Sequence, residues 1–412
     1  MINRNGKAKQ HRRGACVGPL ACHVNGFAAF LLREGYAAKT VKEKYGLTID
    51  LSRWMESCKV PLASLDEEKL RQFQINRQRR CKLRHGDMWT ARQILRYLRD
   101  LGCIPMLRKK TDRTALGHLT GDFEGYLTSE RGLSRSTIVG YLRVVRRFLI
   151  DRFGGKAPRA AALCPRDIHR FVIGHLKNDS RSEAQKTVLA LRCFLRFLHQ
   201  LGAIVIDLAA TVPAVANWRL PHLPRSLPPK QVKQLLASCD RNTPRGQRDY
   251  AILLLMARLG LRAGEVVNMT LDDLDWACGE IVVHGKGQRE ARLPLPTDVG
   301  AALVNYLRRT RPACSTRRVF IRMRAPRQAL KGSEAIGRIV FSALKRAGLN
   351  PEFKGSHLLR HSLATNLLRR GATLTEIGQL LRHSHLTTTQ IYAKVDVAAL
   401  RAIALPWPRG AL

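Results

Sequence analysis

HLLRHSLATNLLRRGATLTEIGQLLRHSHLTTTQIYAKVD, residues 357–396, decides how the chain is read. Leu359, Leu363 and Leu367 recur at a spacing of four and draw one apolar stripe, so the segment opens as a helix, for which Gly371 is a suitable C-terminal stop. On that helix His357 and Arg360 stand at i and i+3, so both side chains project from one face and reach the same oxygen atoms. His361 beside them reads equally well as a core histidine. TLTEIGQLLRHS (373–384) predicts a second helix that buries Ile377, Leu380 and Leu381 and delivers His383 at its end. The threonines that follow start a third helix and place Tyr392 one turn inside it. By itself such a tyrosine is a packing residue, and an HxxR pair is a solvated face.

Working outward, GLRAGE (260–265) puts Arg262 in the junction after the apolar helix DYAILLLMARLG (249–260). GEIVVHGKGQREARLPLP (279–296) alternates β-branched residues around a Gly-Lys-Gly tip and predicts a β-hairpin capped by Lys286. VPAVANWRLPHLPRSLPP (212–229) carries five prolines, which lack an amide donor and fix their own φ, and reads as a semi-rigid linker. Before it, two stretches of about a hundred residues repeat each other. Gly35 and Thr40 fall 97 positions before Gly132 and Thr137, and Leu65, Leu70 and Phe73 fall 98 before Leu163, Ile168 and Phe171. ILRYLRDLG (94–102) matches FLRFLHQLG (194–202) at an offset of 100. Both copies space apolar residues helically, so a duplicated bundle of four or five helices is expected. The fold class is mainly α with a small β-sheet. Within the first copy, RQRRCKLRH (77–85) is a basic run that reads as a solvated loop or a DNA contact.

Composition sets the chemical class. A hydrophobic share of 45% is that of ordinary globular cores. Against 31 Asp and Glu stand 72 Lys and Arg, a formal +41. Such a surplus makes the compact state repel itself and calls for a polyanionic partner, nucleic acid first among them, although a histone-like or ribosomal packing protein shares the signature. The ten cysteines form no CxxC pair; Cys16, Cys22 and His23 lie close together but lack a partner pair, so neither metal nor cofactor is expected. MINRNGKAKQHRRG (1–14) is basic without a following apolar region, and no window is long enough for a membrane span. The expected place is the cytoplasm, on the nucleoid.

Taken in order, GLRAGE, the hairpin lysine, HLLRHS, LLRHS and TTTQIY resemble the catalytic domain of tyrosine recombinases, the phage integrase family, over roughly residues 226–397. The stretch at 112–213, with RGLSRST and LRFL, is similar to that family's core-type DNA-binding bundle. With the repeat and the proline-rich linker, the expected organisation is a basic flexible arm at 1–20, an N-terminal helical bundle at 21–107 that is not part of the minimal family plan, the core-type bundle at 112–213, a linker at 214–226, a catalytic domain at 227–405 and a tail at 406–412. It makes Arg262 and Arg360 the phosphate-binding arginines, Lys286 the hairpin lysine, His357 and His383 the two histidines and Tyr392 the nucleophile. Physical chemistry fits these roles. Two guanidinium forks hold the charge that spreads over the nonbridging oxygens. A free tyrosine, with pKa about 10, needs a neighbour to take its proton, and His357 is the expected acceptor. Lys286 suits protonation of the 5′ leaving oxygen, and His383 a hydrogen bond to the phosphate. The family usually has glycine where this chain has Arg382, which changes how the helix ends and offers a further phosphate contact.

The activity so implied is strand exchange through a 3′-phosphotyrosyl link, without ATP or metal, on double-stranded DNA and for a mobile element. A homotetramer is expected, with other recombinases as potential companions, joined through an apolar tail of Val395, Val397, Leu400, Ile403 and Leu405. The competing readings are Xer-type chromosome or plasmid resolution, a type IB topoisomerase, and a catalytically inactive DNA-binding accessory protein.

Overall fold

The computed structural model describes residues 17–82, 84, 86–106, 114–177, 179–215, 225–285, 289–383 and 385–395. Residues 1–16 of the expected arm, most of the linker, Lys286 at the hairpin tip, and the apolar tail beyond Val395 lie outside them. Among the described residues the chain is mainly helical with one three-stranded sheet, the fold class expected. It separates into two compact units: Met1–Met106 together with Leu220–Leu412, and Leu107–Arg219.

Each sequence repeat folds into the same succession. In the first, α1 (Ala21–Arg33) and α2 (Ala38–Ser57) precede a short 3-10 turn, then α3 (Glu67–Arg80) and α4 (Asp87–Asp100). In the second, α5 (Ala115–Ser129) and α6 (Arg135–Phe153) precede another, then α7 (Pro165–Leu176) and α8 (Arg181–Gln200). The matched residues do matched work. Gly35 and Gly132 both take positive φ, 83° and 53°, at the turn between the first two helices. Leu65, Leu70 and Phe73 are buried in one core, and Leu163, Ile168 and Phe171 in the other. The third helix of each copy has an aspartate at its start, though differently bonded: Asp66 accepts from the amide of Lys69 (2.8 Å), and Asp167 from that of Cys164 (3.2 Å). The basic run at 77–85 is partly neutralised at home, Arg77 pairing with Asp50 and Asp87 and Arg84 with Glu43.

The C-terminal part is built around α10 (Pro244–Leu259), which is buried without a break from Ala251 to Met256. It is preceded by α9 (Pro229–Ala237) and followed by α11 (Ala263–Asn268). The expected hairpin is β2 (Glu280–His284) and β3 (Glu290–Pro294), with Val282 opposite Arg292. A two-residue strand, β1 (Leu274–Asp275), adds to β2 and is too short to show any alternation in sequence. Gly285 donates to the Arg289 carbonyl (2.7 Å), closing the hairpin below the tip. Helices α12 (Thr297–Asn305), α13 (Gly332–Arg346), α14 (His357–Arg369), α15 (Leu374–Leu380) and α16 (Leu386–Thr389) complete it. This part holds the first repeat by backbone: the Arg327 amide donates to the Glu34 carbonyl (2.9 Å).

Phe194 is fully buried and meets Phe123 edge-on at 5.1 Å between ring centroids. Phe194→Ala is expected to destabilise the second unit by about 3–5 kcal/mol. Hydrogen exchange at the α5 and α8 amides of the full chain reads the loss directly; unchanged protection would refute this packing role.

Candidate active site

Helix α10 ends where Gly260 turns left-handed at φ 59°. A Cβ there would stand 2.6 Å from a Leu381 methyl and 3.2 Å from a Leu363 methyl, so glycine lets α14 and the end of α15 close against the junction. After the buried Leu261 comes Arg262, the N-cap residue of α11. Its amide donates to Glu265 Oε2 (2.7 Å) and its Nη1 to Glu265 Oε1 (2.8 Å), leaving the rest of a side chain that is 35% exposed facing outward.

Helix α14 carries His357, Arg360 and His361 at i, i+3 and i+4, one face of the helix. Arg360 is buried and donates to the carbonyls of Gly260 and Leu381. Burial, with Arg262 and Arg382 nearby, pushes its pKa down to about 10, which leaves it protonated at neutral pH. Three guanidinium groups therefore crowd around one carboxylate, that of Glu265, and the surplus is positive.

Helix α15 stops at Leu380. Arg382 follows at φ 55° and turns its side chain inward: Nη2 donates to Glu265 Oε2 (3.0 Å) and Nη1 to the Leu380 carbonyl (3.2 Å). His383 Nδ1 lies 2.7 Å from Thr389 Oγ1, which leaves Nε2 for another partner. Tyr392 does not sit within a continuing α-helix: α16 lasts four residues and a 3-10 turn, Gln390–Val395, takes over. The tighter turn brings the buried Tyr392 ring to 5.7 Å from the His361 ring, with Oη 2.9 Å from His361 Nδ1.

That contact changes one expectation. The acceptor in reach of the Tyr392 hydroxyl is His361, whereas His357 lies one turn back on α14, its ring 6.2 Å from that of His361. Burial, then His357 and Arg360, pushes the His361 pKa down to about 4. Burial, then Arg360 and Arg262, does the same to His383, also to about 4. Partial burial followed by Arg360 and Arg262 holds His357 below the ordinary value too. Burial pushes Tyr392 up to about 12 against the pull of Arg360 and Arg262. At neutral pH the tyrosine is thus a phenol beside a neutral His361, whose Nδ1 accepts from it in the tautomer that carries its proton on Nε2. The i+4 spacing from His357 was the signal for His361, since it puts both imidazoles on the face that bears Arg360. Of the six residues expected from sequence, Arg262, Arg360, His357, His383 and Tyr392 converge, and Lys286 lies outside the described residues. Among the described residues no three His, Cys, Asp or Glu side chains are grouped to hold a metal ion.

The lowered histidine values give a pH dependence with a definite sign. Between an unfolded value of about 6.5 and folded values of about 4, the unfolded chain binds protons that the folded site refuses, so stability falls as pH drops through that window. His361→Asn, which cannot titrate there, is expected to show a shallower loss in urea denaturation between neutral and mildly acidic pH. An equal slope in both proteins would contradict a His361 held neutral by the fold.

Residues 225–398 match the phage integrase family. Over 392 residues the chain is 42% identical to a putative integrase/recombinase, y4rA, of Sinorhizobium fredii, with 95% of each chain covered. Tyrosine recombinase XerD of Lacticaseibacillus casei is 32% identical over 296 residues, covering 69% of this chain and 96% of that protein. Among solved structures, the XerH site-specific recombinase bound to palindromic difH substrate, a post-cleavage complex, has a TM-score of 0.54 at 18% identity, covering 75% of this chain and 92% of that one; this likeness is one of fold. By its matched domain and its relatives, the chain belongs to the phage integrase family of tyrosine recombinases, enzymes that cleave and rejoin DNA strands.

Proposed function

We propose that the chain is a site-specific recombinase or integrase of a mobile genetic element, cutting and rejoining double-stranded DNA through a 3′-phosphotyrosyl intermediate. The observation that carries this reading is Tyr392 Oη at 2.9 Å from a neutral His361, inside the field of Arg262 and Arg360. Tyr392 Oη bonds to the scissile phosphorus as its proton passes to His361, and the bond from phosphorus to the 5′ oxygen breaks. Arg262 and Arg360 hold the charge that builds on the nonbridging oxygens, and the free Nε2 of His383 bonds the same phosphate. His357, on the same face as Arg360, serves as a further phosphate ligand. Lys286, on the hairpin, donates the proton that the 5′ oxygen takes up. Because one phosphoester replaces another, a 5′ hydroxyl from either strand reverses the step, and no ATP is consumed.

In this reading residues 112–213 are the core-type DNA-binding bundle, 227–405 the catalytic domain and 21–107 an additional bundle that the duplication supplied. The tail beyond Val395 docks onto a neighbouring subunit, building a homotetramer on two duplexes in the cytoplasm, where other recombinases join it. No helix among the described residues is long and apolar enough to cross a membrane. Xer-type resolution is the second reading, favoured by the XerD relative; that relative matches 69% of this chain, whereas y4rA matches 95% and so spans both bundles.

Nicked suicide DNA from the flanks of the gene's own element, incubated with EDTA, is expected to trap a covalent complex on a denaturing gel. Tyr392→Phe should abolish that band while DNA binding persists, and a band surviving in the variant would remove Tyr392 as the nucleophile. His361→Ala should slow trapping by about 100-fold or more; a larger loss in His357→Ala, with His361→Ala near wild type, would return the proton-acceptor role to His357.

A further inference from the structure

We propose that Arg382 is a positioning residue of the recombination site: by binding Glu265 it stops that carboxylate from neutralising Arg262, and so leaves Arg262 free to grip the scissile phosphate. The proposal rests on the recombinase reading above and adds to it a residue that stands where the family resemblance expects glycine.

Three features of Arg382 are unfavourable taken singly. A non-glycine residue in the left-handed region, here φ 55°, is strained relative to glycine. The guanidinium is largely withdrawn from water, its side chain 13% exposed. Its Nε is buried and has no hydrogen-bond partner. A helix ending alone asks for none of this, since glycine would make the same turn unstrained. What the side chain obtains is the contact to Glu265 Oε2 (3.0 Å), 117 positions away in sequence.

Glu265 explains why that contact matters. It already takes the Arg262 amide on Oε2 (2.7 Å) and Arg262 Nη1 on Oε1 (2.8 Å), in a position where the carboxylate is 5% exposed. A buried carboxylate facing one guanidinium forms a closed pair of no net charge, and the arginine in it is a weak anion ligand. With a second guanidinium on the same carboxylate the trio carries one net positive charge, and Arg360 beside it makes two. The remaining donors of Arg262, whose side chain is 35% exposed, then present an uncancelled charge to a phosphate. The low Arg360 pKa agrees: after burial, its largest cause, Arg262 and Arg382 each lower it by more than Glu265 raises it. Arg382 itself is turned to Glu265 and the Leu380 carbonyl, so it acts on the phosphate through Arg262 and does not touch it.

The test is a double-mutant cycle on the suicide DNA substrate, with wild type, Arg382→Gly, Arg382→Lys, Arg262→Lys and the Arg262→Lys/Arg382→Gly pair. Arg382→Gly is expected to fold with an unfolding midpoint at or above that of wild type and to bind DNA, yet to form the covalent complex roughly 10-fold more slowly or worse. Arg382→Lys should recover part of that rate, since an ammonium still reaches a carboxylate. In the Arg262→Lys background the further change Arg382→Gly should have little additional effect, because the residue through which it acts is already altered. Additive losses would overturn the proposal in favour of a direct phosphate contact. A lowered midpoint with no rescue by lysine would overturn it in favour of a structural cap, and a wild-type rate in Arg382→Gly would leave no role at all. Absence of any covalent band with wild type refutes the recombinase reading and this proposal with it, an outcome distinct from the other three.

Discussion

The site is organised by one buried guanidinium. Arg360 donates to the carbonyl of Gly260, where α10 ends, and to that of Leu381, just past the end of α15. A buried cation has to find acceptors, and these two carbonyls belong to segments far apart in sequence. Satisfying Arg360 therefore fixes the Arg262 loop and the Arg382–His383 loop against α14 in one step. Gly260 is the complementary condition, because only a residue without a side chain lets Leu381 and Leu363 approach so closely.

From that arrangement the electrostatics follow. Arg262 and Arg382 share one carboxylate with Arg360 beside them, and the imidazoles around them are driven neutral by burial and by those same charges. Neutral imidazoles accept and donate hydrogen bonds without adding to the mutual repulsion of the guanidinium groups. Tyr392 is kept a phenol by the same burial, its hydroxyl 2.9 Å from His361 Nδ1.

The two bundles show the same economy at larger scale. Corresponding helices, corresponding 3-10 turns and corresponding glycines recur at a near-constant offset, each repeat keeping its own closed core. The y4rA relative matches 95% of this chain, so the likeness extends over both copies.

Much is legible in the sequence itself. Helical periodicity, glycine stops and β-branched alternation report local forces, so α10, α14, α15, the β2–β3 hairpin and the duplication could be read from sequence, while the grouping of Arg262, His357, Arg360, His383 and Tyr392 was implied by the family resemblance. Other features had no local signature. Strand β1 is two residues long and exists only because β2 lies beside it. The 3-10 turn around Tyr392 replaces the expected α-helix where the tyrosine reaches His361. The choice of His361 over His357 as the hydroxyl's neighbour, and of Glu265 as the partner of Arg382, was likewise settled by packing. Sequence alone determined which groups are present and which share a helix face, since both follow from composition and a 3.6-residue period. Tertiary structure decided which atoms meet, because hydrogen bonds form over distances that only the closing of α14 onto the α10 and α15 ends can set.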